Sequence, residues 1–225
     1  MKKILLVSLV MLLAVSVAFS QFGIKGGINL ANFLGDDKSH DLGNNMKLDP
    51  TNRHGLAGGI SYRIGLIAGL AIQPEVMYIQ KGAVYEENIS QGIYTINDKT
   101  TDKIDYIDIP VLVKFNFPIP VFSPYIEGGV SYGILLSAKE KSERSSNVPG
   151  MASRSDEIDF KDGVTKNDLS WIVGVGFDLF ILDINARYII GTKRLYKDDS
   201  ETTTIDENAI RVYNSGILLT AGFRF

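Results

Sequence analysis

Few side chains in this sequence could do chemistry. Two histidines, His40 and His54, stand in a chain of 225 residues that has no cysteine. A Ser-His-acid hydrolase needs its base beside a nucleophile and an orienting acid. No Ser or Asp has a telling spacing to either histidine, so His40 reads as a solvated loop residue and His54 as a rim residue. The lack of cysteine removes disulfides and thiolate chemistry. Gly26-Gly27 and Gly174-x-Gly176 are not followed by the helix that a phosphate-binding loop requires. The acidic runs Asp36-Asp37 and Asp198-Asp199-Ser200-Glu201 lack the spaced ligands and the glycine of a calcium loop. Asn88-Ile89-Ser90 matches a glycosylation triplet by pattern only. No catalytic, cofactor or metal site is therefore expected.

The informative polar residues are charges embedded in alternating apolar stretches. Within 105–136, Ile107, Ile109, Val111, Val113 and Phe115 share one side, while Asp108, Pro110, Leu112, Lys114 and Asn116 share the other. After a turn with two prolines, Ile126, Val130, Tyr132 and Ile134 oppose Tyr125, Glu127, Gly129, Ser131 and Gly133. A period of two is the mark of a strand whose faces meet different solvents. A hairpin with one apolar face and a charged face carrying Lys114 and Glu127 suits a barrel wall in lipid.

Six further segments fit the same pattern: 21–31, 54–64, 70–81, 168–179, 183–190 and about 210–225. Pro74 would be unwelcome inside a sheet, so a bulge is expected there. The connections alternate long and short, with long polar loops at 32–53, 82–104, 137–167 and 191–209. Short turns at one end and long loops at the other are the signature of an outer-membrane barrel, with both termini at the periplasmic end. The fold expected is all-β, an eight-stranded antiparallel transmembrane up-and-down barrel.

Aromatic residues sort in the same way. Phe22, Tyr62, Phe115, Phe117, Phe122, Phe177, Phe180, Phe223 and Phe225 fall beside the short turns, and Tyr78, Tyr132, Trp171 and Tyr188 nearer the long loops. Two girdles of amphipathic rings are expected where a barrel meets both membrane interfaces. The chain opens with Met1-Lys2-Lys3, an apolar run and Ala18-Phe19-Ser20, the pattern of a cleaved signal peptide. Residues 1–20 are thus expected to be the leader and 21–225 one barrel domain. A formal charge of −3 argues against a nucleic-acid partner.

With the apolar face given to lipid, nine charges face the lumen: Lys25, Arg63, Glu75, Asp108, Lys114, Glu127, Asp178, Arg187 and Arg224. An eight-stranded barrel is just wide enough for side chains to fill, and buried charges persist only when paired. The expectation is a salt-bridged plug, with Glu75 and Glu127 meeting Lys114 and Arg187, and no open channel. Inward glycines (Gly59, Gly129, Gly174, Gly176, Gly222) would make room for it.

The stretches FGIKGGINLANF, IQPEVMYIQKGAVYE, YIDIPVLVKFNF, PYIEGGVSYGILLSAK, DLSWIVGVGFDL, INARYIIGT and LTAGFRF resemble the PorT-like outer-membrane β-barrel family, porin-named proteins of Bacteroidota. The resemblance implies a barrel in the outer membrane of a Gram-negative bacterium, inserted by the outer-membrane assembly machinery, with Phe225 in the insertion signal. It transfers no catalytic or ligand residue. The expected role is structural or interactive: a monomer in outer-membrane lipid whose loops or turns contact an envelope protein, with secretion machinery as one candidate. A small-solute pore is the second reading and an envelope enzyme the third.

Overall fold

The computed structural model describes residues 21–35, 40–43, 46–91, 93–117, 119, 122–196 and 211–225. The expected leader and both acidic runs, Asp36-Asp37 and 198–201, lie outside the described residues, as does the side chain of His40.

Eight antiparallel strands form a closed ring. In chain order they are Phe22–Leu34, Thr51–Tyr62, Leu70–Lys81, Tyr94–Asn116, Phe122–Ser146, Asn167–Leu179, Leu182–Gly191 and Tyr213–Arg224, called strands one to eight below. Each pairs with its neighbour, and strand eight closes on strand one with Ile24 opposite Phe223 and Leu34 opposite Tyr213. Closure removes free edges from the ring and lets its backbone groups pair without water.

The two faces of the wall differ as the alternation requires. On strand four, Ile109, Val111 and Val113 are exposed, while Asp108, Leu112 and Lys114 are buried. Leu56 and Trp171 lie 64% and 58% exposed on the outside of the ring. An apolar belt that runs around all eight strands is far larger than the patches water-soluble monomers tolerate. It is the exterior of a barrel solvated by lipid.

The bulge expected at Pro74 is absent. Strands three and four keep one register across it, from Pro74 opposite Val111 to Met77 opposite Asp108. Pro74 and Pro110 each lack an N–H, so the ladder loses bonds between those pairs without gaining a residue. The bulge lies between strands four and five instead. Tyr106 faces Leu135 and Asp105 faces Ser137, which leaves Leu136 extra. The inserted residue changes which positions of strand five point inward, from Leu135 below it to Ala138 above it.

The long stretches 82–104 and 137–167, expected to be loops, are largely strand. Strands four and five stay paired up to Ile96 opposite Ser146, flanked by Ala83–Gln91 on one side and Arg154–Asp159 on the other. This four-stranded sheet stands beyond the apolar belt at the long-loop end. In the first long connection, the strand pair His40–Gly43 and Met46–Leu48 occupies part of the expected loop. Below the projecting sheet, Phe33, Tyr85, Ile104, Tyr106, Leu135, Val164, Leu195 and Val212 form an apolar cluster across the mouth. A bridge between Val164 and Tyr196 ties two of the connections together there.

Candidate functional site

Strand four gives the depth of everything inside. From the long-loop end its inward residues are Asp102, Ile104, Tyr106, Asp108, Pro110, Leu112, Lys114 and Asn116. The lumen follows that order: an apolar cap, a small charged group, an apolar layer and a large charged group at the short-turn end.

The large group is centred on Arg187. Its Nε donates to Glu127 Oε1 at 2.6 Å and its Nη1 to Glu75 Oε2 at 2.6 Å. Lys25 Nζ donates to Glu75 Oε1 at 2.9 Å, and Lys114 Nζ to Asp183 Oδ2 at 3.0 Å with Glu127 Oε2 3.8 Å away. Tyr125 adds its hydroxyl to Asp183 Oδ1 at 3.0 Å, and its ring lies under Lys114 at 3.5 Å. Nearer the short turns, Arg63 and Arg224 both reach Asp178 Oδ2, at 2.7 and 3.2 Å. Polar groups complete the shell: Gln73 donates to Glu75 at 2.5 Å, Asn185 to Asp183 at 2.9 Å and Asn116 to Asp178 at 2.9 Å.

Two inward glycines set how closely this group packs. A Cβ at Gly176 would stand 2.5 Å from the Tyr125 ring and hydroxyl, and one at Gly174 would stand 3.0 Å from Arg187 Cγ. The wall is thinned where the longest side chains fold.

Above this group lie Ala57, Met77, Ile79, Leu112, Ile172, Ile189 and Leu218, all buried. Above them, Lys81 Nζ is 2.9 Å from both Asp108 Oδ2 and Asp168 Oδ2, and donates a well-aligned hydrogen bond to Asp168. Asn214 Nδ2 also donates to Asp168 Oδ2 at 3.2 Å. Lys81 sits 4.6 Å from the centre of the Tyr106 ring, so the apolar cap rests directly on this small group.

The nine charges named from the sequence fall into two groups. Asp108 belongs to the small group; the other eight belong to the large one. Lys81, Asp168 and Asp183 are lumen charges that the sequence reading did not name. The six positions from Asp108 to Lys114 span about 20 Å along a strand. Opposite unit charges that far apart attract by about 0.8 kcal/mol at an effective dielectric of 20, against several kcal/mol for each desolvated ion. Each group must therefore be compensated where it lies. The large group has five cations for four acids, the extra one at the short-turn end where the Arg224 side chain is 23% exposed. The small group has one cation for two buried acids.

The family follows from sequence. The profile described as "Outer membrane protein beta-barrel domain" matches residues 16–197. The chain belongs to this family. It is an outer-membrane β-barrel protein. Among solved structures, the attachment invasion locus protein Ail of Yersinia pestis, crystallised with the heparin analogue sucrose octasulfate, is 17% identical. The alignment covers 91% of this chain and 98% of Ail, with a TM-score of 0.40. The outer membrane enzyme PagL is 8% identical over 90% of this chain and 99% of its own, TM-score 0.45. The outer membrane protein OprG from Pseudomonas aeruginosa is 13% identical over 91% and 95%, TM-score 0.42. No curated protein matches the sequence.

In this family member the aromatics sit as follows. Tyr62, Phe117, Phe122, Phe180, Phe223 and Phe225 are exposed at the short-turn end, with Phe22, Phe115 and Phe177 half-buried among them. Phe115 meets Phe117 edge-on at 5.1 Å. Tyr132, Trp171 and Tyr188 are exposed toward the long-loop end, where Tyr78 is half-buried and accepts a hydrogen bond from Gln80 Nε2 at 3.1 Å. His54 is exposed on strand two, opposite Leu30.

The projecting sheet carries its own electrostatics. Asp102 and Glu140 face each other across strands four and five. Burial pushes the Asp102 carboxyl up to about 7, Glu140 adds to the shift and Arg53 opposes it. On the other face, hydrogen bonds from Lys139 and Lys103 hold exposed Glu157 down to about 2. Arg144 grips Asp98 with two bonds of 2.6 and 2.7 Å.

Proposed function

We propose that this protein is a plugged barrel with a structural or interactive role, and that its projecting sheet is the contact surface. The observation that carries the reading is the filled lumen: Arg187, Glu75 and Glu127 bond across it, and an apolar layer lies directly above them. Water and solutes would have to displace both. A pore needs a continuous polar path, and the layer around Leu112 and Met77 interrupts one. An enzyme needs a base beside a nucleophile, and exposed His54 on the outer wall has no such geometry.

The sheet at the long-loop end, in our reading the outer surface of the cell, offers the rest of the role. Its strands are polar on both faces and stand clear of the membrane, where a protein of the envelope or an external partner can reach them. The resemblance to PorT-like barrels favours an envelope partner, with secretion machinery as the first candidate. The same reading has the chain exported by a cleaved leader at residues 1–20, inserted by the outer-membrane assembly machinery and working as a monomer without a cofactor.

Photo-crosslinking groups at Asn97 and Ser155, on the sheet, test the contact in intact cells. A discrete cross-linked protein that disappears when the sheet is shortened to the membrane belt is the expected result. A cell in which shortening the sheet abolishes solute uptake, with no cross-link at either position, would contradict it.

A further inference from the structure

The small charged group carries a charge imbalance that its surroundings do not resolve. Asp108 and Asp168 share one cation, Lys81, and their side chains are 1% and 3% exposed. Apart from Arg53 of strand two, the elements packed around them are neutral at this depth. Strand one supplies Asn29, strand five Ser131 and Gly133, and strand eight Asn214. Tyr106 lies above on strand four, and Arg53 of strand two turns its guanidinium to the Lys81 carbonyl. Arg53 faces Asp105 and Asp102 above it, and the remaining charges lie beyond the apolar layer, too far to compensate a full charge.

The register explains why the two acids meet. Gly133 on strand five is paired with Asp108 on one side and Asp168 on the other. A Cβ at Gly133 would stand 2.7 Å from Asp108 Oδ1 and 3.2 Å from Asp168 Cβ. The missing side chain opens the space into which both acids turn. Within it, Oδ1 of Asp108, Oδ1 of Asp168 and Oδ1 of Asn214 are buried without a hydrogen-bond partner, and Asp108 Oδ2 has only the Lys81 ammonium that it shares with Asp168. Acceptors crowd this site, and its neutral donors, Ser170 and Asn214 on Asp168 and an unpaired Ser131 hydroxyl, bring no compensating charge. Two carboxylates sharing a buried site and one cation are relieved when one of them takes up a proton.

We propose that Asp108 and Asp168 form a proton-binding dyad that holds one proton at neutral pH. The proton cancels the excess negative charge and leaves a neutral group of one ammonium, one carboxylate and one carboxylic acid. A proton fits better than a metal ion, because among the described residues no three His, Cys, Asp or Glu side chains gather around a common point. The site is independent of the role proposed above, since it concerns the depth of the wall and not the sheet.

Infrared spectroscopy of the barrel in lipid, with 13C-labelled aspartate, reads the proton directly. An Asp102→Asn background removes the other acid whose neutral form persists near pH 7. The expected result is a label-sensitive carboxylic-acid carbonyl band at pH 7 that is lost in both Asp108→Asn and Asp168→Asn. No such band, as when a sodium ion takes the proton's place, overturns the dyad. So does a band that survives both substitutions. Should either variant fail to insert, the presence or absence of the band in the Asp102→Asn barrel still decides.

Discussion

Arg187 and Glu75 meet in the middle of the lumen, Nη1 to Oε2 at 2.6 Å, with neither side chain exposed. Their strands, seven and three, stand on opposite sides of an eight-strand ring. One ion pair thus ties together two walls that share no ladder. Glu127, on strand five, joins the same guanidinium from a third direction. Removing one partner from such a buried pair leaves an uncompensated charge, which costs about 3–5 kcal/mol. Arg187→Ala should lower unfolding stability in detergent by about that amount, and a double-mutant cycle with Glu127→Ala should return a coupling of about 1–3 kcal/mol. Additive losses would show that the two groups act separately.

Gly176 is a packing position as much as a strand residue. Any side chain there enters the space held by Tyr125, whose hydroxyl serves Asp183. Gly176→Leu should destabilise the barrel by about 1–3 kcal/mol through overpacking. Tyr125→Phe, which keeps the ring and drops the hydroxyl, should cost about 1 kcal/mol. Equilibrium urea titrations would separate the two.

The lipid belt has a middle and a rim. Val173 lies halfway along the outward row of strand six and Leu169 near its long-loop end. Val173→Lys should cost about 2–4 kcal/mol and Leu169→Lys at most about 1 kcal/mol, the depth dependence of a charge on the lipid face of a barrel. Equal costs would mean that the membrane does not sit where the apolar belt places it.

The projecting sheet should loosen as pH rises. Asp102 has its carboxyl raised from 3.8 to about 7 in the fold, by burial first and by Glu140 second. The folded sheet therefore favours the neutral acid. Its contribution is intact below about pH 4, declines as pH climbs through 7 and is fully lost above that, a difference of roughly 1–4 kcal/mol. Hydrogen exchange of the sheet's amides should show weaker protection at pH 8 than at pH 5, corrected for intrinsic rates. Asp102→Asn should abolish that difference.

The parts of this architecture that the sequence displays are those where the two faces of a strand meet different surroundings. Ile107 to Phe115 alternates because lipid lies outside and Lys114 and Asp108 lie within, so both the wall and its inward charges are legible there. The projecting sheet looks like loop in the sequence for the opposite reason. From Tyr94 to Lys103 and from Ser137 to Ser146 most of both faces meet water, and an alternation needs contrast. Asp183 follows a tight turn, and Lys81 and Asp168 sit at the edges of their apolar runs, where a charge looks like the solvated end of a strand. Alternation itself carries them inside, since Lys81 shares the parity of Glu75, Asp168 that of Asp178 and Asp183 that of Arg187. Pro74 misled because proline predicts a lost hydrogen bond, which occurs, and not the inserted residue, which falls at Leu136.

The most direct test of the plugged lumen is single-channel conductance of the folded protein in a planar bilayer. A lumen crossed by Arg187, Glu75 and Glu127 under the Leu112 layer should leave the bilayer silent, with insertion verified independently. Steady, ion-selective steps from the unmodified protein would contradict a plug and make the same charges the lining of a pore.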